Sequence, residues 1–152
     1  MYYFAYGSNM DHGQMAERCP DSRFLKRAYL KDHRFVYDGR SFSRGVSVAN
    51  IVSSRGEKVW GGLFEISESD LMKLDFYEGH AHRIYDRKVV EVVDDSGTFF
   101  SSIVYIRQSQ PIGTPTESYR SIVVKGARDC GLPEEYIQEN LQREKPEQKE
   151  SF

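Results

Sequence analysis

Residues 2–9 of the chain, Tyr-Tyr-Phe-Ala-Tyr-Gly-Ser-Asn, place a short aromatic run directly before a turn. Aromatic side chains favour the pleated, half-buried surface of a strand, and Gly7 allows the backbone to turn sharply. Residues 11–18 then have the pattern of a short helix that Pro20 would stop. The chain therefore opens with a predicted strand, turn and helix in close succession.

Further strands are predicted over most of the first two thirds of the chain, because β-branched and aromatic runs alternate there with turn residues. These runs cover residues 24–37, 46–52, 58–66, 88–93 and 98–107. The tetrapeptide Asp-Asp-Ser-Gly at 94–97 predicts a hairpin between the last two runs, and Asp38-Gly39 marks another turn. The paired Gly61 and Gly62 inside a predicted strand indicate a bulge or a close approach of two backbones.

A capping pattern predicts the first long helix. Ser67 at the N-cap with Asp70 three residues later fits a capping box. The helix is expected to run to about residue 77, where Gly79 is well placed to end it.

Helices close the chain. Thr114, which is followed by proline at the first helical position, predicts one helix, and residues 133–143 predict a last one. Because alternating βαβ units are not apparent, the sequence predicts an α+β fold with a mixed, largely antiparallel, barrel-like sheet and flanking helices. We expect one domain over residues 1–143 and a disordered polar tail over 144–152.

Composition argues against several classes of partner. The 152 residues carry 21 basic and 23 acidic side chains, for a net charge of -2, so no nucleic acid partner is expected. No run approaches the roughly 20 apolar residues that cross a bilayer, so no membrane association is expected. The first residues lack the features of a signal peptide. Together with two distant cysteines, Cys19 and Cys130, this predicts free thiols and a cytoplasmic protein.

The first candidate for chemistry is the turn formed by Tyr6, Gly7, Ser8 and Asn9. Successive N–H groups in such a turn can form a nest for a carboxylate or for a developing oxyanion. The alternative is a plain turn in which Ser8 or Asn9 caps the next helix. A serine nucleophile is not favoured, because the Gly-x-Ser-x-Gly pattern is absent and no histidine is identifiable as its base.

Glu78 is the candidate proton carrier. It lies at a predicted helix end, where carbonyl dipoles disfavour a carboxylate, and it follows the aromatic Phe76 and Tyr77. Partial desolvation there would raise its pKa toward the range that suits proton transfer. A solvated glutamate at a helix end is the alternative.

Other side chains give weaker signals. His80 and His82 are two residues apart, but no third ligand of matching spacing is visible, so no metal and no cofactor are expected. Tyr105 lies in a predicted strand and Tyr119 on a predicted helix face, where each contributes either to core packing or to ligand contact.

Five segments occur together in a fixed order. They are residues 3–9 (Tyr-Phe-Ala-Tyr-Gly-Ser-Asn), 59–61 (Val-Trp-Gly), 74–79 (Leu-Asp-x-x-Glu-Gly), 119–127 and 131–136. This combination, which spans residues 2–141, resembles the γ-glutamylcyclotransferase family. The loop from His80 to His82 has no obvious counterpart in that family and bears on substrate choice.

The resemblance implies a barrel-like domain with a cavity at one end, a small-molecule γ-glutamyl substrate and a homodimer. The family's catalytic acid/base falls on Glu78. Its substrate-binding positions fall on Tyr6, Gly7, Ser8, Asn9, Tyr105 and Tyr119.

The implied reaction needs no cofactor. The α-amine of the substrate attacks its own γ-carbonyl carbon, forms 5-oxoproline and expels an amine or an amino acid. Two alternatives stay open: a cyclotransferase specific for γ-glutamylamines, and a non-catalytic small-molecule binding module on the same scaffold.

Overall fold

The computed structural model describes residues 1–39, 47–80 and 85–143, with residues 78–80 described by their backbone alone. Five strands within these ranges form a closed barrel: β1 (Tyr2–Ala5), β2 (Arg23–Asp38), β3 (Val48–Glu65), β4 (Asp86–Val93) and β5 (Phe99–Ile106). The order around the barrel is β1-β3-β2-β4-β5. Only the closing β1–β5 pair is parallel, which confirms the predicted mixed, largely antiparallel sheet.

Four α-helices in the described part of the chain flank the barrel: α1 (His12–Arg18), α2 (Glu68–Leu74), α3 (Glu117–Asp129) and α4 (Glu134–Tyr136). A 3₁₀ turn at Ser8–Met10 precedes α1, and π-helical turns at Asp75–His80 and Ile137–Leu141 extend α2 and α4. Of these helices in the described ranges, none is long and apolar enough to cross a bilayer.

The ends of α2 and the start of α3 can be compared with the predictions from sequence. Ser67 and Asp70 form the reciprocal capping box at the start of α2, as predicted. The helical backbone does not end at Gly79, because the π-helical turn carries it on to His80. The predicted N-cap of α3 at Thr114 is wrong, since the side chain of Thr116 accepts the hydrogen bond from the Tyr119 N–H.

The two longest strands are each continuous where shorter runs are predicted. β2 and β3 pair from the Arg23–Glu65 position to the Asp38–Val48 position, with two register irregularities between them. The polar residues in the middle of β3 interrupt the apolar alternation that marks a strand in the sequence. The register shifts between Lys31 and His33, so residues 54–57 of β3 have no paired position on β2. Ordered pairing with β2 on both sides of them, together with a hydrogen bond from the Gly56 N–H to the Asp32 carboxylate, carries the strand through this polar segment.

Two close backbone approaches hold the N-terminal segment in place. A Cβ on Gly61 would lie 2.4 Å from the carbonyl oxygen of Ala5, which confirms the close approach predicted for the paired glycines. A Cβ on Gly126 of α3 would lie 2.3 Å from the Asp11 nitrogen. Glycine at both positions therefore lets β3 and α3 pack directly against the backbone on either side of the turn that follows β1.

The two cysteines are buried free thiols, as predicted. Burial raises the pKa of the Cys130 thiol to about 12, so this group is not a reactive thiolate near neutral pH. The predicted tail, residues 144–152, lies outside the described residues and stays a prediction.

Candidate active site

The turn after β1 exposes backbone N–H groups. The Met10 N–H donates to the Gly7 carbonyl and the Asp11 N–H to the Ser8 carbonyl, each over 3.1 Å. Among the described residues, no hydrogen bond takes up the N–H of Gly7 or of Ser8. Adjacent N–H groups of this kind can bind an anionic oxygen, and that role of the turn stays a prediction.

A cavity of about 30 Å³ lies against this turn. Its lining residues are Tyr3, Phe4, Tyr6, Gly7, Ser8, Asn9, Ala49, Tyr85, Tyr105 and Tyr119. All six positions that the resemblance marks for substrate binding are thus brought together from the turn, β5 and α3. The cavity has room for one or two water molecules, so a γ-glutamyl group enters only if some of these walls move apart.

Hydrogen bonds to the backbone fix the tyrosines of this cavity. The Tyr6 hydroxyl donates to the Tyr105 carbonyl over 2.6 Å, and the Tyr85 hydroxyl donates to the Ala49 carbonyl over 2.6 Å. The Ala49 N–H donates to the Tyr119 oxygen over 3.1 Å. Because these three rings are anchored at their hydroxyl ends, the positions of the walls are set by β3, β5 and α3.

Asn9 holds the turn from beneath. Its buried amide donates to the Tyr3 hydroxyl over 3.1 Å and accepts from Gln14 and Arg18 over 3.0 Å each. The same Gln14 amide donates to the Ser8 hydroxyl over 2.9 Å. These contacts tie the turn to β1 on one side and to α1 on the other.

A carboxylate lies behind Tyr105. The Tyr105 hydroxyl donates to Oδ1 of Asp75 over 2.7 Å, and Arg87 donates to Oδ2 over 2.8 Å. Asp75 begins the π-helical turn on which Glu78 lies. The backbone of Glu78 is thus one turn beyond a residue that contacts the cavity wall.

The side chain of Glu78 lies outside the described residues, so its predicted role as proton carrier stays a prediction. The same is true of the loop from His80 to His82, where a metal site is not expected. Within the described ranges, no three side chains of the histidine, cysteine, aspartate or glutamate type group as ligands for a metal ion.

A buried ion pair supports the wall that Tyr85 forms. Arg107 pairs with Asp38 and donates to the Asp38 carbonyl over 2.7 Å, and its guanidinium carbon lies 5.4 Å from the centre of the Tyr85 ring. Burial by itself would lower the pKa of Arg107, but Tyr85 and Asp38 together raise it above its ordinary value. The guanidinium therefore stays charged beside the cavity.

Sequence reasoning missed four of the residues described above: Tyr3, Ala49, Asp75 and Tyr85. Two of them had a usable signal, because Tyr3 stands in the opening aromatic run and Asp75 stands in the segment that carries Glu78. Ala49 and Tyr85 had none, because each reaches the cavity only through the closure of the barrel.

Comparison with known proteins covers almost the whole chain. The sequence model of the AIG2-like family matches residues 58–139. The chain is 30% identical over 148 residues to the Homo sapiens protein named γ-glutamylcyclotransferase, with 95% of this chain and 78% of that protein covered. It is 31% identical over 150 residues to the Mus musculus protein of the same name, with the same two coverages of 95% and 78%.

The fold is shared as well. A solved structure described as γ-glutamyl cyclotransferase superposes on this chain with a TM-score of 0.87 at 28% sequence identity. The superposition covers 97% of this chain and 89% of the other. Sequence and fold therefore agree on one group of relatives.

Proposed function

The chain belongs to the AIG2-like family, among relatives named γ-glutamylcyclotransferase, and from that premise we propose that it is a cyclotransferase that releases 5-oxoproline. The substrate is a γ-glutamyl amino acid or amide, and the second product is the free amino acid or amine. The observation that carries this proposal is the pair of N–H groups at Gly7 and Ser8, which have no partner in the described part of the chain and belong to residues that line a cavity walled by tyrosines.

Ring closure is the first step. The α-amine of the substrate attacks the carbon of its own γ-carbonyl group, and the five-membered ring forms as the bond to the leaving nitrogen breaks. Because the attack is intramolecular, the protein has to hold the chain in a folded conformation. Orientation of this kind supplies up to about 7–11 kcal/mol of the barrier in the most favourable intramolecular models.

The γ-carbonyl oxygen gains negative charge as the ring closes. The N–H groups of Gly7 and Ser8 are suited to this oxygen, because they are adjacent and unpaired within the described part of the chain. Loss of one such donor in a comparable oxyanion hole costs about 2.7–4 kcal/mol of transition-state stabilisation.

Glu78 carries the proton in this proposal. The α-amine is mostly protonated at neutral pH and cannot attack until a base removes a proton. Glu78 accepts that proton and later delivers it to the departing nitrogen, so that one group is first base and then acid. Its place on the π-helical turn beside Asp75 puts its backbone one turn from the residue that Tyr105 contacts.

The tyrosines complete the binding surface. The Tyr105 hydroxyl donates its hydrogen bond to Asp75, so toward a substrate its oxygen acts as an acceptor, which suits an ammonium group. Tyr119 bounds the other side, where its oxygen is 3.8 Å from the position that a Cβ on Gly7 would take. Tyr6 and Asn9 hold these two walls and the turn together.

A substrate panel tests the proposal. Purified protein is incubated with γ-glutamyl dipeptides and with Nε-(γ-glutamyl)-lysine, in which the side-chain amine of lysine carries the γ-glutamyl group. The release of 5-oxoproline is measured by mass spectrometry. Release from the dipeptides is the expected result. Release from Nε-(γ-glutamyl)-lysine alone would favour an enzyme for γ-glutamylamines. Binding without product would favour a non-catalytic binding module.

The proposal has further parts that need their own tests. It includes a place in glutathione metabolism, a cytoplasmic location and a homodimer, which light scattering after gel filtration would detect. It also includes turnover without metal or other cofactor. Activity that EDTA stops and zinc restores would contradict that part.

A further inference from the structure

Asp75 is the one carboxylate that joins the cavity wall to the π-helical turn within the described residues. Each of its oxygens has its own partner: Tyr105 donates to Oδ1 over 2.7 Å and Arg87 to Oδ2 over 2.8 Å. We propose that Asp75 is a positioning residue, which fixes the turn that carries Glu78 and directs the Tyr105 hydroxyl. This inference rests on the proposed function.

The sheet places the two donors side by side. Arg87 on β4 and Tyr105 on β5 are directly paired across neighbouring antiparallel strands. Side chains at directly paired positions point to the same face of the sheet. The Tyr105 hydroxyl and the Arg87 guanidinium therefore both donate to the Asp75 carboxylate. Two neighbouring strands thus hold this one side chain.

The backbone at Asp75 is also unusual. Its N–H donates to the carbonyls of both Leu71 and Met72, and the chain then changes from α-helical to π-helical hydrogen bonding. Single π-helical turns are rare and occur often at functional sites. A side-chain anchor at the first residue of such a turn determines where the residues after it lie, and Glu78 is three residues further on.

Stability alone gives a weak account of this arrangement. The side chains of Arg87 and Asp75 are 47% and 41% exposed, and ion pairs at that exposure contribute little to folding. Tyr105, by contrast, is 3% exposed and lines the cavity. The contact thus links a buried cavity residue to a half-exposed carboxylate, which suits a role in orienting the catalytic groups.

Positioning predicts a loss of turnover with little loss of binding or stability. We expect Asp75→Ala to lower kcat by up to about 100-fold, the effect of a misplacement near 1 Å. KM and the melting temperature should stay close to those of the original protein. Asp75→Asn keeps an acceptor for Tyr105, so it should recover most of the lost kcat.

A double-mutant cycle gives the sharper test. If Asp75 acts through Tyr105, the Asp75→Ala change should cost much less kcat in a Tyr105→Phe background than in the original protein. Glu134→Ala is the matched control, because it removes an exposed ion pair with Arg128, and neither residue lines the cavity. Independent effects in the cycle, or an unchanged kcat in Asp75→Ala, would overturn the inference.

Hydrogen exchange separates this inference from the proposed function. If the original protein releases no 5-oxoproline from any substrate, the proposed function fails. Amide exchange over the peptide Asp75–His80 then decides on positioning alone. Faster exchange there in Asp75→Ala, but not in Glu134→Ala, supports the role of Asp75, and equal exchange overturns it.

Discussion

Gly7 lies so close to Ala49 that a Cβ placed on Gly7 would be 3.0 Å from the Ala49 Cβ. That separation is tighter than ordinary van der Waals contact, so a methyl group at position 7 would push the turn away from β3. The N–H of Ala49 also holds Tyr119. The contact between these two residues therefore sets the width of the cavity at the N–H groups of the turn.

We expect Gly7→Ala to reduce kcat/KM by about 100-fold or more, because the donors of an oxyanion hole are displaced from their oxygen. Steady-state assay of 5-oxoproline release measures the change. The double variant Gly7→Ala with Ala49→Gly removes the colliding Cβ and should recover a large part of the activity. An active Gly7→Ala protein would contradict the close-contact account of this turn.

Glu78→Gln should leave the fold intact and reduce kcat by about 10²–10⁴-fold, the usual contribution of a positioned general acid or base. The amide has nearly the same shape as the carboxylate but cannot accept and return a proton. Glu68→Gln, an exposed change near the start of α2, is the control with unaltered activity. Full turnover by purified Glu78→Gln would remove the proton-carrier role.

Local signals made the barrel and its helices predictable. The turn after the first strand, the capping box of Ser67 and Asp70, and the hairpin at 94–97 all depend on residues within a few positions of one another. Each of these signals reflects a local conformational preference, which does not depend on the rest of the fold. The continuity of β2 and β3 was not predictable, because it depends on pairing between the two strands on both sides of the register shift at Lys31 and His33, and not on local pattern.

The same difference applies to the cavity. Gly7, Ser8 and Asn9 were marked by their local order, whereas the contact of Tyr105 with Asp75 joins residues 30 positions apart. Tyr85 and Ala49 meet only when the barrel closes. Sequence therefore indicated the turn and the chemistry, and the three-dimensional structure added the side chains that hold them.

The stability that Asp94 gives to the loop between β4 and β5 should depend on pH in the acid range. The Ser96 hydroxyl and the Thr98 N–H donate to Asp94, and with Lys26 they lower the pKa of its carboxyl to about 2. A lowered folded pKa means that Asp94 stabilises the fold above its unfolded pKa of about 3.9 and loses that effect as pH falls toward about 2.

Asp94→Ala should therefore melt below the original protein at pH 7, and the two melting temperatures should converge as the pH falls from 4 to 2. Thermal scans by circular dichroism over that range give the measurement. Asp95→Ala is the control, since its carboxylate pairs with Arg27 on the exposed surface. A gap that stays constant down to pH 2 would show that the charge of Asp94 is not what stabilises the loop.

The buried pair of Arg107 and Asp38 should dominate the stability of this end of the barrel. Their side chains are 4% and 0% exposed, and Asp38 also accepts hydrogen bonds from Asn50 and from the Gln110 N–H. Arg107→Ala leaves that carboxylate buried without its cation, which we expect to cost about 3–5 kcal/mol in the free energy of unfolding.

Urea denaturation measures the loss, and Arg23→Ala, which breaks an exposed pair with Glu65, should cost far less. A loss for Arg107→Ala no larger than that for Arg23→Ala would contradict the account of a buried pair.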